Sequence, residues 1–211
     1  MEISPDIRWY DCLDSTNDEA RRQIDTLDSM SVLAARRQTA GRGQGDHKWH
    51  SVEGQNLTFT VVLRFGKGSP LSPLAARDSL VITQITTLAL RRFLLSLGIE
   101  CRIKWPNDIY VGGGKICGIL IENILSGKYV RHSIIGIGLN VNQTVFPDDI
   151  PNPESISRLT GNQYDLERML ESFCKYMCQT ALQSCTPEGR AGLAQEFNQY
   201  MFRLEGDTRG L

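Results

Sequence analysis

Four short segments of this 211-residue chain carry residue types suited to binding phosphate or carboxylate groups. The first is Gly41-Arg42-Gly43-Gln44-Gly45-Asp46-His47-Lys48-Trp49. Glycines let backbone N–H groups approach an anion, Arg42 and Lys48 bring positive charge, and Trp49 offers a flat stacking face. The spacing fits neither GxxxxGK[ST] nor a GxGxxG that opens a helix, so an anion-binding loop and a plain mobile surface loop both fit it. The second is Lys104-Trp105-Pro106-Asn107-Asp108, whose Asn107 and Asp108 are site candidates or the polar residues of an ordinary post-proline turn. The third, Gly113-Gly114-Lys115-Ile116-Cys117-Gly118, delivers Lys115 to the start of an apolar strand, where its ammonium either meets solvent or reaches a phosphate. In the fourth, Gly136-Ile137-Gly138-Leu139-Asn140-Val141-Asn142, glycines interrupt a buried-looking strand, as a close ligand approach or a simple bulge would require.

Other chemistries find little support. His47, His50 and His132 form no HExxH, and no GxSxG serine accompanies them. The six cysteines include no CxxC pair, and Cys174 with Cys178 has no second ligand pair nearby, so buried free thiols and no metal site are expected. Trp9 and Trp105 read as core residues.

The elements that must position these segments follow from periodicity. Residues 8–13 read as a strand, and Ser15-Thr16-Asn17 as a helix start with a Thr16/Glu19 capping box. Ala20, Ile24 and Leu27 give that helix one apolar face. Strands follow at 32–36 and 57–64, separated by a long polar loop. Ser72-Pro73 signals the opening of a long helix that Gly98 stops. A strand-like stretch ends at Trp105, and 115–123 with 129–141 form a hairpin around Ser126-Gly127. Residues 147–153 are a proline-rich loop, and helices over about 165–183 and 187–202 finish the pattern. Without regular βαβ alternation, this order predicts an α+β fold, a mixed or antiparallel sheet with helices packed on one side.

Composition limits the function. The 23 Lys and Arg against 24 Asp and Glu leave a net charge of −1, without the field of a duplex-DNA or polybasic membrane binder. Hydrophobic content of 41% and charged content of 22% are those of an ordinary globular domain. No apolar run reaches the length of about 18 residues that spans a bilayer, and the N-terminus lacks a secretory pattern. A cytoplasmic protein is therefore expected.

Together with the Ser15-Thr16-Asn17 turn, the four segments closely resemble the catalytic domain of the biotin–protein ligase, or biotin–[acetyl-CoA-carboxylase] ligase, family. The blocks are QTAGRGQGDHKW at 38–49, KWPND at 104–108, GKICGIL at 114–120 and GIGLNVN at 136–142, in order within residues 8–142. The resemblance implies a fold like that of class II aminoacyl-tRNA synthetases, with a catalytic domain over 1–202. The polar residues 203–211 read as the candidate start of a C-terminal SH3-like domain that the chain lacks. With no DNA-binding segment before residue 8, no DNA partner and no membrane partner are expected, while a homodimer through a sheet edge is compatible.

The activity implied is a ligase that joins biotin to ATP, with Mg²⁺, as biotinyl-5′-adenylate. It then moves the biotin to a lysine of the biotin carboxyl-carrier protein of acetyl-CoA carboxylase or a related carboxylase. By position, Ser15, Thr16 and Gln38 would meet the biotin ureido ring, with Asn17 also in the binding set. Gly41, Arg42 and Gly43 would close over the carboxylate and phosphate, and Trp49 would cover the adenylate. Gln44, Lys48, Asn107 and Gly118 complete the binding set, and Asn140 would lie near the nucleotide. Arg42, Lys115 and Asp108 are the implied catalytic residues. Gln44 stands where the best-known member has an arginine that helps retain the adenylate, which implies weaker loop closure with activity kept. A lipoate–protein ligase would need an elongated apolar channel and different signature blocks. A non-catalytic biotin- or adenylate-binding module is the reading from another class.

Overall fold

Successive strand residues point to opposite faces of a sheet, and in this chain the two sets differ in kind. The computed structural model describes residues 3–45 and 47–202; Asp46 of the glycine loop and the expected tail over 203–211 lie outside the described residues. Among the described residues nine strands join in one sheet. They are β1 (Asp6–Leu13), β2 (Ser31–Gln38), β3 (Leu57–Arg64), β4 (Leu74–Ala75), β5 (Arg102–Lys104), β6 (Asp108–Val111), β7 (Gly114–Ser126), β8 (Tyr129–Leu139) and β9 (Met201–Phe202). The lateral order is β1-β2-β3-β8-β7-β6-β5-β9, with β4 also against β8. The β1–β2 and β5–β9 pairs are parallel and the others antiparallel. Five α-helices accompany them, α1 (Thr16–Arg22), α2 (Leu80–Ser96), α3 (Ile156–Thr160), α4 (Leu166–Gln183) and α5 (Pro187–Tyr200). This is the α+β architecture the sequence predicts.

One face of the sheet is filled with branched and aromatic side chains. Leu57, Phe59, Val61 and Leu63 of β3 line up there with Ile135, Ile137 and Leu139 of β8. Phe173 of α4 meets Phe59 edge-on at 5.3 Å and Phe93 of α2 at 6.0 Å. Burying each such side chain contributes about 1.5–3 kcal/mol, which makes this face the main source of stability.

The expectation of helices on one side only is corrected by α1. The parallel β1–β2 pair requires a crossover connection, and α1 makes it on the opposite face. There Ala20 and Leu27 are buried against Leu33, Val62 and Ile134. Ser15, not Thr16, caps α1, its Oγ accepting from the Asp18 N–H, while Glu19 bonds Arg22 and Gln23 instead of closing a capping box. The helix signal at Ser72-Pro73 is also overturned. Leu74 is buried and pairs with Val130, so the segment joins the sheet and α2 begins at Leu80.

The hairpin of β7 and β8 forms as expected and turns at Gly127, whose φ of +58° suits a residue without Cβ. Trp105 is not core: it is 54% exposed at the sheet margin, where Phe197 meets its ring edge-on at 6.4 Å. Trp9 packs partly buried against the core. Cys101, Cys117, Cys174 and Cys178 are buried free thiols; burial pushes Cys101 and Cys174 up to about 12. Cys12 departs from that expectation and is exposed. No helix among the described residues is long and apolar enough to cross a membrane.

Candidate functional site

The sheet face that carries α1 is only partly covered, and a cleft of about 590 Å³ opens on it. Its floor is made by Gly118 and Leu120 of β7 with Gly136 and Gly138 of β8. These glycines give room for side chains from other elements. A Cβ at Gly136 would collide with the Asn17 amide, and one at Gly138 with the Trp49 indole. A Cβ at Gly118 would stand 3.0 Å from the same indole. The glycines of the fourth segment thus lie in the regularly paired end of β8, where they admit side chains and form no bulge, while Asn140 and Asn142 lie beyond the strand.

Ser15, Thr16 and Asn17 enter the cleft from the start of α1 and are nearly fully buried. The Thr16 N–H donates to Gln38 Oε1 at 2.8 Å, which ties the end of β2 to the same wall. Beneath them, Thr60 Oγ1 lies 2.6 Å from Asn17 Oδ1 and 2.9 Å from Thr16 Oγ1. Asn17 Nδ2 donates to Glu122 Oε2 at 2.9 Å.

The glycine loop folds back as a small hairpin. Arg42 and Lys48 bridge, the Gly43 N–H donates to the His47 carbonyl at 2.7 Å, and the Trp49 N–H donates to the Gly41 carbonyl at 3.0 Å. This brings Arg42 to Asp18 at 2.6 Å and Glu122 at 3.0 Å. Burial pushes the Glu122 carboxyl up, but bonds from Asn17 and Arg42 and the charges of Arg42 and Arg21 outweigh it, holding the group below the usual glutamate range. Desolvation opposes the Arg42 charge, and Glu122 with Asp18 reverses that, so the guanidinium is held more firmly protonated than usual.

On the other wall, Lys115 Nζ stands 2.7 Å from Asp108 Oδ1 and 5.9 Å from the Trp49 ring centre. The KWPND turn is tied down by Asn107, whose Nδ2 donates to the Ile119 carbonyl at 2.7 Å. Asn140 Nδ2 donates to the Glu154 carbonyl at 3.0 Å, fastening the proline-rich loop. Lys115 clasps that loop as well, its N–H donating to Asn152 and its carbonyl accepting from Glu154.

All the site residues expected from the sequence line this cleft except Gly41. Gly41 lies behind the loop, where a Cβ would stand 2.5 Å from the Trp49 carbonyl, so its task is to let the hairpin close. Asp18, Thr60 and Glu122 are not among the expected residues, because each looks like an ordinary polar residue of a helix or strand. Of the three only Thr60 carries a signal: with Thr58 it interrupts an otherwise apolar strand. Tyr110, Phe146, Asp149 and Ile150 also line the cleft. The last three come from a loop region that carries no periodicity.

Comparison with known proteins identifies the family and the fold. The model of the biotin/lipoate A/B protein ligase family matches residues 9–140. The biotin–[acetyl-CoA-carboxylase] ligase of Paracoccus denitrificans is 32% identical over 197 residues, covering 86% of this chain and 77% of that protein. The bifunctional ligase/repressor BirA of Bacillus subtilis is 35% identical over 161 residues, covering 74% of this chain and 48% of its own. The chain thus spans about half the length of that relative. A biotin protein ligase from Aquifex aeolicus, solved in complex with biotin and ATP, aligns with a TM-score of 0.76 at 27% identity, covering 94% of this chain and 79% of that one. One from Leishmania major in complex with biotin gives 0.75 at 27% identity, covering 99% and 87%. This chain belongs to the biotin/lipoate A/B protein ligase family, as the catalytic domain of a biotin protein ligase.

Proposed function

We propose that this chain activates biotin with ATP and transfers it to a lysine of a carboxyl-carrier protein. The observation that carries the reading is that Arg42 and Lys115 line opposite walls of one cleft whose glycine floor seats the Trp49 indole. In the first step a biotin carboxylate oxygen attacks the α-phosphorus of ATP, and pyrophosphate leaves with the bonding pair. Two anions must approach, so cations placed where charge grows are the main requirement. Arg42 and Lys115 supply them, exchanging Asp18, Glu122 and Asp108 for ligand oxygens.

In the second step a lysine amine attacks the acyl carbon, AMP departs, and the amine loses a proton. Asp108, beside Lys115, orients that amine. Ser15, Thr16 and Gln38 hold the ureido ring at the far end, with Asn17 behind them. Closure of residues 41–50 over the mixed anhydride keeps water from it. Among the described residues no three His, Cys, Asp or Glu side chains gather to hold a metal. Magnesium would enter with ATP, held mostly by its phosphates, with one or two carboxylates enough to complete its shell. The acceptor proposed is the carrier domain of acetyl-CoA carboxylase or a related carboxylase, and the setting the cytoplasm.

The test is incubation of the chain with biotin, Mg-ATP and a purified carrier domain, read by pyrophosphate release and by the mass of the carrier. Pyrophosphate release with a biotin-sized mass increase on one lysine is expected. Tight binding of biotin with neither signal would make the chain a binding module instead.

A further inference from the structure

We propose that Glu122 is a positioning residue that sets the direction of a buried chain of hydrogen bonds, making Thr16 Oγ1 an acceptor toward the cleft and so selecting a ligand group that presents an N–H. The inference rests on the biotin reading above, in which the ureido ring supplies that N–H. The chain runs Glu122, Asn17, Thr60, Thr16, with links of 2.9, 2.6 and 2.9 Å. Thr60 is fully buried, and Asn17 and Thr16 are each 3% exposed.

Each link follows from the one before. An ionised carboxylate can only accept, and Glu122 keeps its charge against burial through Asn17, Arg42 and Arg21. Asn17 therefore turns Nδ2 toward it, with the Leu120 carbonyl at 3.4 Å as a second acceptor. This leaves Oδ1 facing Thr60, and Oδ1 can only accept, so the Thr60 hydroxyl donates to it. A hydroxyl has one proton. The contact between Thr60 and Thr16 then needs the proton of Thr16, which points inward. What Thr16 offers the cleft is a lone pair.

The reverse arrangement would set Asn17 Oδ1 against the carboxylate with no proton between them, a buried unsatisfied contact. Gly136 keeps the chain in place from below, since the Asn17 amide occupies the space a side chain there would take. Arg21 and Arg42 both donate to Glu122 Oε1, at 3.1 and 3.0 Å. Arg21 still holds the carboxylate when Arg42 turns to a ligand.

Glu122→Gln removes the direction. A glutamine that keeps its oxygen toward Arg21 and Arg42 presents its NH₂ to Asn17. Opposed only by the longer 3.4 Å contact to the Leu120 carbonyl, the Asn17 amide then turns, the hydroxyls reverse, and Thr16 becomes a donor. The experiment compares biotin with its cyclic-carbamate analogues, in which one ring N–H is replaced by O, by calorimetry on the intact chain. The parent should favour biotin by about tenfold or more, the effect of one hydrogen bond lost and one acceptor left facing another. Glu122→Gln should narrow the ratio to within about threefold. Thr60→Val, which cuts the chain, should narrow the same ratio, and the double variant should add nothing further. If Glu122→Gln does not fold by circular dichroism, Thr60→Val alone decides.

Equal losses for both ligands with the ratio kept would overturn the proposal and leave Glu122 a structural anchor. A parent that binds neither ligand overturns the biotin reading instead. The free protein then decides the direction by NMR. Asn17 side-chain amide protons that follow the titration of Glu122 support it, and protons indifferent to that titration overturn it.

Discussion

The two faces of the central sheet are built from neighbouring residues of the same strands and do opposite work. On the helix face Ile135, Ile137 and Leu139 alternate with Gly136 and Gly138 on the cleft face. On β3, Phe59 and Val61 flank Thr60 in the same way. One set excludes water and holds α2 and α4; the other leaves room for Asn17, Trp49 and a ligand. Period-two geometry therefore lets stability and recognition be encoded in alternate positions. Away from the buried cluster under α1, substitutions on the two faces should separate into losses of folding and losses of binding.

The strongest way to break that separation is at the core. Phe173→Ala removes the ring that touches both Phe59 and Phe93 and should cost about 3–5 kcal/mol in urea unfolding. Biotin affinity of the folded fraction should be unchanged; an affinity lost in step with stability would join the two faces. Gly138→Val is the mirror test. It displaces the Trp49 indole and should weaken a non-hydrolysable biotinyl-adenylate analogue about a hundredfold, while the melting temperature moves little.

Lys115→Ala sharpens the comparison within the cleft. The loss of a charge-assisted bond of about 1.5–3 kcal/mol should weaken the adenylate analogue tenfold or more, and biotin less, by calorimetry. Equal losses would place Lys115 on the biotin carboxylate in the ground state. The smallest effect appears in acid. Glu122 is held below the ordinary value of 4.5 in the folded chain, so its contribution is present above that value and lost as pH falls through the lowered one. Parent and Glu122→Gln should differ in stability by about 1 kcal/mol near neutrality and converge at low pH. A gap that persists in acid would detach the effect from the Glu122 charge.

Most of the cleft is legible in the amino-acid sequence, because glycine runs and motif blocks are local signals. The loop at 41–49, the KWPND turn, Lys115 and the β8 glycines all reach one site. What is not legible depends on partners distant in sequence. Nothing near Glu122 reveals that Asn17, 105 residues away, will donate to it. The Ser72-Pro73 signal reads as a helix cap because the pairing of Leu74 with Val130 is non-local. At five residues, α3 is too short for a 3.6 period to register. The side on which α1 lies follows from a parallel pair that propensity alone does not disclose.

The alternation on β8 also acts as a proofreading device during folding. A slip of one residue against β3 and β7 would send Ile135 and Ile137 into the cleft and put Gly136 and Gly138 where the helices need filling. The misaligned chain would lose its core and block its binding site in the same event. A register-slipped hairpin is therefore penalised by the lost core as well as blocked at the cleft. A molecule that has packed this core has, by that fact, placed the β8 glycines on the cleft face.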